Sequence, residues 1–409
     1  MLAQAVILCG GLGTRLGELT ASTPKPMLPV AGRPFVEYLI LEAARYGFKR
    51  VTLLAGRFGE QVQEAYDGRV INGARVDVII EPEPRGTGGA LAYAHALGAL
   101  DPAFLLMNGD SWIDMDLTVF VQNWNAYQRE ESGVFAQILL QSVPDSGRYG
   151  AVETAQGRVT GFREKTPERA GQAGQINAGV YILSRAVIAE IPTEQACSLE
   201  AEVFPRLVAA GQVAGVAAPD GAYFIDIGLP VTYAQVQDEF VAQRTRPALF
   251  LDRDGTLNVD RGYTHDPATL QWQPGARAAI KLANDRGYYV FVVTNQAGVA
   301  RGFYDEDAVR QFHDAMQADL AQIGAHIDAL EWCPHHVDAT VEAYRKDCPR
   351  RKPAPGMIND LLAFWPVDMA RSLMIGDAET DMAAAKAAGI TGVHYKGGSL
   401  HALVLDHLK

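Results

Sequence analysis

Short apolar runs that end at glycine or at polar residues recur along this 409-residue chain. They occupy residues 5–8, 104–107, 249–251, 289–293 and 373–375. A continuous apolar run is typical of a strand buried on both faces of a parallel sheet. Open α/β sheets bind their ligands at the carboxyl ends of such strands. The pattern therefore predicts an α/β fold in which the residues directly after these runs carry the chemistry.

The run at residues 249–251 leads straight into Asp252 and Asp254, which are followed by Gly255 and Thr256. Two carboxylates at a strand end can hold a hard cation and leave one oxygen free for attack. This arrangement is typical of the first strand of a domain. The residues that precede it should therefore form a separate unit.

The length of the chain also favours two domains over one. We predict two doubly wound α/β domains, a Rossmann-like one at residues 1–240 and a second at residues 248–409. A linker is predicted at residues 241–247, where Pro247 disfavours helix in the residue before it.

Composition narrows the class of protein. A hydrophobic content of 48% and a charged content of 21% are those of a soluble globular protein. The net charge of −12 argues against an electrostatic binder of nucleic acid or of membrane surfaces. The sequence contains no apolar run of membrane-spanning length, and we expect no signal peptide. Four cysteines suggest a reducing compartment. The expected location is the cytoplasm.

The first apolar run leads into a loop that contains Gly10, Gly11 and Gly13, followed by Thr14 and Arg15. Glycines let the backbone approach a ligand closely and turn N–H groups toward an anion. Arginine adds a planar fork of donors for phosphate. Taken alone, such a loop is as readily an ordinary turn as a nucleotide site.

Lys25 stands between Pro24 and Pro26, which pre-set the backbone and reduce the entropy of the free loop. It is therefore a fixed positive charge suited to a phosphate. This segment and the glycine loop together resemble the sugar-1-phosphate nucleotidyltransferases, and the resemblance covers nearly the whole first domain. It implies that a sugar phosphate attacks the α-phosphorus of a nucleoside triphosphate, mainly through positioning and charge neutralisation, and that pyrophosphate leaves.

The resemblance implies roles for further residues. Residues 81–90 look like the base-reading loop of that family, and their Gly-Thr-Gly-Gly form is similar to members that use GTP. Asp110 and Asp226 would hold Mg2+, although either alone can also be an ordinary acid at a strand end. Arg15 and Lys25 would act on the triphosphate as catalytic residues. The implied nucleotide contacts are Gly10, Gly11, Gly13, Thr14, Glu81, Gly86 and Thr87, and the implied contacts with the sugar and its phosphate are Glu164, Lys165, Asn177 and Gly179.

The second domain resembles the haloacid-dehalogenase phosphatases, whose four motifs occur here in order. The resemblance makes Asp252 the nucleophile that becomes an aspartyl phosphate, and Asp254 the acid and base. Thr294 would donate to the phosphoryl oxygens, and Lys352 would balance the negative charge. Mg2+ would lie between Asp252, the Asp254 carbonyl and Asp377. Contacts with the sugar and its phosphate are implied for Asn295, Gln296 and Arg351.

Within this superfamily, residues 262–265, 296–302 and 333–336 resemble the heptose-1,7-bisphosphate 7-phosphatases. Histidinol-phosphate phosphatases are near relatives.

In both groups a cysteine-rich loop binds zinc, and the matching ligands here are Cys333, His335 and Cys348. The fourth ligand position holds Arg350, which leaves open either a zinc site, with His336 as a substitute, or two free thiols in a metal-free loop. We expect weak zinc or none, with Arg350 or Arg351 reaching toward the substrate. A second departure is Ala378, where these phosphatases often carry lysine.

Residues 224–228, near the end of the first domain, resemble the heptose-1-phosphate guanylyltransferases, so both domains resemble enzymes of one pathway. Together the resemblances imply a bifunctional enzyme that makes GDP-heptose, a precursor of bacterial surface glycans. Its Mg2+-dependent domains would act on heptose 1,7-bisphosphate, heptose 1-phosphate and GTP, without a nucleic-acid or membrane partner.

One alternative is a uridylyltransferase for a hexose or N-acetylmuramate 1-phosphate, fused to a phosphatase of another small ester such as histidinol phosphate. The other is a ligand-sensing scaffold with a decayed domain.

Overall fold

The computed structural model describes residues 2–11, 13–130, 133–146, 151–163, 171–192 and 195–408. The chain divides into two compact units, Met1–Phe240 and Val241–Lys409. The division falls inside a helix, Pro230–Arg244, so residues 241–244 of the expected linker are helical. Among the described residues, no helix combines the length and the apolar character that crossing a bilayer needs.

The elements of the first unit alternate strands with helices over its first half. The described strands are β1 (Gln4–Leu8), β2 (Pro29–Val30), β3 (Arg33–Pro34), β4 (Arg50–Ala55), β5 (Val70–Ile71), β6 (Ala74–Ile80), β7 (Ala103–Asn108), β8 (Ser111–Ile113), β9 (Ala136–Val143), β10 (Ala151–Ala155), β11 (Arg158–Arg163), β12 (Gly174–Ser184), β13 (Val213–Ala217) and β14 (Phe224–Asp226). The described α-helices are α1 (Phe35–Arg45), α2 (Gly59–Tyr66), α3 (Gly86–Ala96), α4 (Leu117–Arg129), α5 (Phe204–Ala209) and α6 (Pro230–Arg244). Shorter helical turns of other types include Thr14–Thr20 and Leu199–Val203.

Ten of these strands form one mixed sheet in the order β10-β11-β13-β9-β12-β7-β1-β4-β6-β5. Strands β7, β1, β4 and β6 are parallel neighbours, so their carboxyl ends lie at one edge. Gly10, Gly56, Glu81 and Asp110 all follow these four strands within two residues. Strand β12 is antiparallel to both β7 and β9, which makes the sheet mixed.

The two-stranded sheet of β8 and β14 joins distant parts of the first unit. The strands are antiparallel with Asp226 opposite Ser111, and the Ile227 N–H donates to the Asp110 carbonyl at 2.9 Å. Phe240 of α6 packs edge-on against Trp112 of β8, with ring centroids 5.3 Å apart. This aromatic contact anchors the helix, and the strand pairing brings Asp226 beside Asp110.

The second unit is a five-stranded parallel sheet with helices, in the order β17-β16-β15-β18-β19. Its strands are β15 (Ala248–Leu251), β16 (Tyr289–Asn295), β17 (Ala329–Cys333), β18 (Leu373–Gly376) and β19 (Thr391–His394). Its helices are α7 (Ala276–Asp285), α8 (Ala297–Ala300), α9 (Glu306–Ala321), α10 (Gly356–Phe364), α11 (Glu379–Ala388) and α12 (Leu400–His407).

Strand β15 explains why the sequence there is apolar without interruption. Leu249 and Leu251 pack into the core on one face of the sheet, and Ala248 and Phe250 pack into the core on the other. Successive side chains of a strand point to opposite faces, so a central strand covered on both sides needs apolar residues throughout. The prediction of two α/β domains is confirmed, and the structure adds the antiparallel strands of the first sheet.

Candidate active sites

The glycine loop of the first unit packs closely against two neighbouring strand ends. A Cβ added at Gly10 would stand 2.8 Å from Glu81 Oε1, and one at Gly56 would stand 3.0 Å from the Cα of Gly10. Any side chain at either position would therefore displace its neighbour. Gly13 has φ +64°, and its carbonyl accepts a hydrogen bond from the Thr20 hydroxyl at 2.9 Å. Gly11, Thr14 and Arg15 are exposed.

Glu81 is a buried carboxylate beside this loop, with 8% of its surface exposed. Its Oε2 has no hydrogen-bond partner within the described part of the chain. Burial raises the pKa of this carboxyl to about 7, although the backbone N–H and the guanidinium of Arg85 act in the opposite direction. A buried acceptor without a partner costs free energy, so Glu81 is suited to a ligand that brings donors.

Charged side chains meet at the end of strand β7. Lys25 is buried, and its Nζ forms ion pairs with Asp110 and, at 3.8 Å, with Asp226. Burial and the neighbouring Asp110 raise the pKa of Asp226, while Lys25 and Arg15 lower it. The structure therefore brings together the four charged residues predicted here, Arg15, Lys25, Asp110 and Asp226. Both carboxylates contact the same lysine, so they also lie close enough to each other to bind one metal ion.

A β-bulge in β12 holds the predicted sugar-binding residues. The register with β9 shifts between Asn177 and Tyr181, and Gly179 has φ +76°. The Asn177 amide donates to the Tyr181 hydroxyl at 2.8 Å, and its Oδ1 accepts the Gly179 N–H at 2.9 Å. A Cβ at Gly179 would lie 2.9 Å from Asn108 Nδ2 at the end of β7. Glu164 and Lys165 lie outside the described residues.

The loop predicted to read the base is attached to a segment for which the sequence predicts no role. Thr87 Oγ1 donates to Glu200 Oε2 at 2.8 Å and accepts the Leu199 N–H at 2.8 Å. Gly86 has φ +70°, and a Cβ there would lie 2.6 Å from the Cys197 carbonyl oxygen. The Thr87 hydroxyl is thus engaged inside the protein. A Ser198 cap followed by acidic residues marks a helix start in the sequence, but nothing local links that segment to Thr87.

In the second unit, Lys352 lies between two aspartates. It is 4% exposed, and its Nζ donates to Asp252 Oδ1 at 2.5 Å, pairs with Asp381 Oδ1 at 2.7 Å and donates to the Val293 carbonyl at 2.8 Å. Burial lowers the pKa of Lys352, but the two carboxylates raise it by more, so the net pKa is raised. The amide of Asn295 pairs with the Lys352 backbone through two 3.0 Å hydrogen bonds.

Asp252, Asp377 and Asp381 each place an oxygen within 4.8 Å of the others. Burial raises the pKa of Asp252, and Lys352 opposes that rise. Gly255 has φ +88°, and a Cβ there would lie 2.2 Å from Asp377 Oδ2, so only glycine fits beside this carboxylate. Oxygen ligands of this kind suit Mg2+. Asp381 belongs to this group, although the sequence alone predicts no role for it.

The Asp254 carboxylate is surrounded by hydrogen-bond donors. Gln296 Nε2 donates to Asp254 Oδ2 at 2.8 Å and to Thr294 Oγ1 at 2.9 Å. Gln296 is buried, and its Oε1 accepts the Tyr304 hydroxyl at 2.8 Å. Gln296, a predicted substrate contact, is therefore directed toward Asp254 and away from solvent.

The cysteine loop brings its three predicted ligands together. The ligand atoms of Cys333, His335 and Cys348 all lie within 4.8 Å of one another. Arg350, at the position of the fourth ligand, forms ion pairs with Glu331 and, at 2.9 Å, with Asp360. These three ligands would leave one coordination position of a zinc ion unfilled, because a structural zinc site has four protein ligands. Arg350 is thus engaged by carboxylates of β17 and α10, and Arg351 Nη1 donates to the His335 carbonyl at 3.1 Å.

Residues 4–243 match the family model described as nucleotidyl transferase. The chain belongs to this family. Residues 349–408 match the model described as HAD-hydrolase-like. The resemblance of the second unit to HAD-like phosphatases is confirmed by relatives with sequence similarity over most of their own length. The chain therefore joins a nucleotidyltransferase to a phosphatase, as predicted.

Two of those relatives are named D-glycero-β-D-manno-heptose-1,7-bisphosphate 7-phosphatase. The protein from Rhodopseudomonas palustris is 52% identical over 159 residues, which are 39% of this chain and 88% of the relative. The protein from Vibrio cholerae is 39% identical over 173 residues, which are 40% of this chain and 93% of the relative.

Two solved structures resemble the transferase unit. HddC from Yersinia pseudotuberculosis, complexed with GMP-PN, is 32% identical, with 58% of this chain and 100% of that chain covered and a TM-score of 0.48. UDP-glucose pyrophosphorylase from Acinetobacter baumannii is 22% identical, with 59% of this chain and 94% of that chain covered and a TM-score of 0.51. The second likeness concerns the fold alone.

Proposed function

We propose that this protein is a bifunctional enzyme of GDP-heptose biosynthesis. Its phosphatase removes the 7-phosphate of D-glycero-D-manno-heptose 1,7-bisphosphate, and its transferase moves a guanylyl group from GTP to heptose 1-phosphate and releases pyrophosphate. The observation that carries the proposal is the 52% identity of the second unit to a heptose-bisphosphate phosphatase, in a chain that also belongs to the nucleotidyl transferases. The product of one reaction is then the substrate of the other.

In the phosphatase, Asp252 attacks the phosphorus and forms an aspartyl phosphate, while Asp254 gives its proton to the departing sugar oxygen. Water then attacks the intermediate and returns a proton to Asp254. Lys352, held 2.5 Å from Asp252, balances the charge, and Thr294 and Arg351 contact the phosphate or the sugar. Mg2+ held by Asp252, the Asp254 carbonyl and Asp377 would supply further neutralisation of the phosphate charge.

In the transferase, Arg15 and Lys25 stabilise the triphosphate, and Asp110 and Asp226 would hold Mg2+. The burial of Lys25 and its contacts with both aspartates support this assignment. The glycine loop and the Glu81 carboxylate receive the nucleotide. Glu164, Lys165, Asn177 and Gly179 position the sugar phosphate for attack on the α-phosphorus. Positioning and charge neutralisation account for most of the acceleration in such transfers.

The guanine preference follows from the unpartnered Oε2 of Glu81. Guanine presents two adjacent donors, N1–H and N2–H, to a carboxylate, whereas the uracil edge offers a single N–H between two carbonyl oxygens. A site that pairs buried polar groups rejects bases that leave them unpaired. The cysteine loop is proposed to hold zinc weakly or not at all, because Arg350 is committed to Glu331 and Asp360.

One experiment tests the proposed function. The full chain is incubated with heptose 1,7-bisphosphate, MgCl2 and GTP, and the products are identified by mass spectrometry. We expect inorganic phosphate, pyrophosphate and GDP-heptose. Parallel reactions replace GTP with UTP, and the heptose ester with histidinol phosphate or with hexose 1-phosphate. A clear preference for UTP would overturn the guanylyl assignment, and the absence of turnover with every pair would support a binding protein instead.

A further inference from the structure

Arg253, between the two aspartates of the phosphatase unit, is completely buried, with 0% of its surface exposed. Burying a guanidinium is expensive unless its charge and its donors are satisfied. We therefore expect a buried arginine of this kind to serve the fold or the chemistry. None of the roles assigned above includes this arginine.

The donors of Arg253 are engaged on several sides. Its Nη2 donates to Asp254 Oδ2 at 2.7 Å, to the Thr264 carbonyl at 2.6 Å and to Gln296 Oε1 at 3.1 Å. Its Nη1 lies 3.4 Å from His313 Nε2, and its guanidinium stands over the Phe312 ring at 4.7 Å from the centroid. The arginine is therefore anchored by a loop and by helix α9 as well as by the aspartate beside it.

The Asp254 carboxylate is held by both of its oxygens. Oδ1 accepts from Arg253 Nε at 3.1 Å, from Arg253 Nη2 at 2.9 Å and from Asn258 Nδ2 at 3.0 Å. Oδ2 accepts from Arg253 Nη2 at 2.7 Å and from Gln296 Nε2 at 2.8 Å. Three of these five hydrogen bonds come from Arg253, so it is the main determinant of the direction in which the carboxyl group points.

We propose that Arg253 is a positioning residue that orients the Asp254 carboxyl group for proton transfer to the departing sugar oxygen. The inference rests on the acid–base role of Asp254 in the proposed function. In the first step the Asp252–phosphorus bond forms, the phosphorus–sugar oxygen bond breaks, and the sugar oxygen takes the proton of Asp254. When Asp254 is protonated, Arg253 keeps Thr264 and Gln296 as partners, so the clamp persists through the cycle.

A comparison of leaving groups isolates this role. A sugar alkoxide leaves poorly without a proton, whereas p-nitrophenolate leaves without one. A positioned general acid contributes roughly 10²–10⁴-fold to such a step. Arg253→Lys keeps the charge but loses the fork that grips both carboxylate oxygens. We expect its rate of enzyme phosphorylation by heptose 1,7-bisphosphate to fall by about 100-fold. The first-turnover burst of p-nitrophenol from p-nitrophenyl phosphate should stay within about threefold of the wild-type burst.

Both substrates are measured on the same sample of full-length protein, so the ratio of the two rates is independent of the fraction that is correctly folded. Arg253→Gln, which keeps one amide donor, replaces the lysine variant if the latter gives no folded protein. The matched control is Arg371→Lys, an exposed arginine whose partner is Asp368, and it should leave both rates unchanged. Combined with Asp254→Asn, the Arg253 change should cause no further loss with the sugar ester.

An equal loss with both substrates would overturn the positioning role, because a merely structural arginine would affect every substrate alike. Additive losses in the double variant would overturn it as well. Failure of the proposed function looks different: wild-type protein would then release p-nitrophenol but would not hydrolyse heptose 1,7-bisphosphate. In that case the same ratio is measured with whichever alkyl phosphate the wild-type protein hydrolyses.

Discussion

Each unit places a buried lysine between two aspartates, and the two arrangements differ in what else holds the lysine. In the first unit, Lys25 contacts Asp110 and Asp226, whose side chains are 31% and 28% exposed. These are also the carboxylates proposed to hold Mg2+. In the transferase, the lysine and the proposed metal ion would therefore share the same two partners.

In the second unit, Lys352 contacts Asp252 and Asp381, whose side chains are 11% and 1% exposed, and also the Val293 carbonyl. The proposed Mg2+ would share only Asp252 with this lysine, because its other carboxylate is Asp377, while Asp381 and the Val293 carbonyl stay with Lys352. The same pair of residue types therefore stands in two different environments. We propose that Lys25 mainly supplies charge for the chemistry, whereas Lys352 also compensates buried charge within the fold.

The largest effects test whether the two sites are independent. Asp252→Asn should lower phosphate release by more than about 10³-fold, because an amide cannot form the acyl phosphate. Transfer to supplied heptose 1-phosphate should stay nearly at the wild-type rate. Phosphate and nucleotide-sugar assays on the same preparation measure both. Loss of both activities would show that the sites are not separable.

The reciprocal change is Asp110→Ala in the transferase. Removing one proposed ligand should lower formation of the sugar nucleotide by about 100-fold or more, because the triphosphate loses its cation. Phosphate release from heptose 1,7-bisphosphate should persist. Full transferase activity in this variant would contradict the metal assignment, whereas Asp101→Ala, which removes an aspartate paired with Arg50 near the opposite end of the same strand, serves as the control.

The comparison of the lysines is sharpened by stability measurements. Lys352→Met should lower the free energy of unfolding of the second unit by about 3–5 kcal/mol, because buried carboxylates lose their counter-charge. Lys25→Met should cost the first unit only about 1 kcal/mol, since water reaches its aspartates. Urea titrations of each variant and of Lys281→Met, in which an exposed ion pair with Asp285 is lost, provide the values. Equal losses of unfolding free energy for Lys352→Met and Lys25→Met would contradict the difference between the two lysines.

A smaller effect concerns pH and the transferase. The pKa of Glu81 is raised to about 7 by burial, so its carboxyl is ionised above that pH and protonated below it. Because only the carboxylate accepts both guanine donors, the KM for GTP should rise by about tenfold as the pH falls from 8 to 6. Arg85 is the other charged group that acts on this carboxyl, and it lowers the pKa of Glu81. Glu81→Gln should raise the KM for GTP and remove this pH dependence, while the exposed Glu64→Gln should retain it.

The smallest expected effect is on the phosphatase when zinc is withdrawn. Protein purified without added metal should contain well under one zinc per chain, and a zinc-selective chelator should leave phosphate release unchanged. Arg350→Cys supplies a fourth ligand and should bring zinc to one per chain, whereas Arg350→Ala should not. Stoichiometric zinc in the unaltered protein, measured by elemental analysis, would imply a fourth ligand, and His336 would be the first residue to replace.

Local patterns in the sequence were sufficient to predict the strands that end at functional residues. The apolar run of β15 and the aspartates after it are consecutive in the chain, so neighbouring residues alone indicate a buried strand and its polar end. The same holds for the glycine loop after β1 and for Lys25 between its prolines. The length of the chain and the strand at residues 248–251 predicted two α/β domains, and the resemblance of the ordered motifs to two known families implied both enzyme classes.

Only the tertiary structure decided which distant side chains meet. The pairing of β8 with β14 brings Asp226 to Asp110, and the parallel pairing of β15 with β18 brings Asp377 and Asp381 to Asp252. Strand pairing depends on packing across the whole sheet, which the local alternation of polar and apolar residues does not encode. For the same reason the sequence left open that Thr87 is tied to Glu200 and that Arg350 is directed to two carboxylates. Hydrogen bonds and ion pairs of long side chains are settled by the neighbours that the fold supplies.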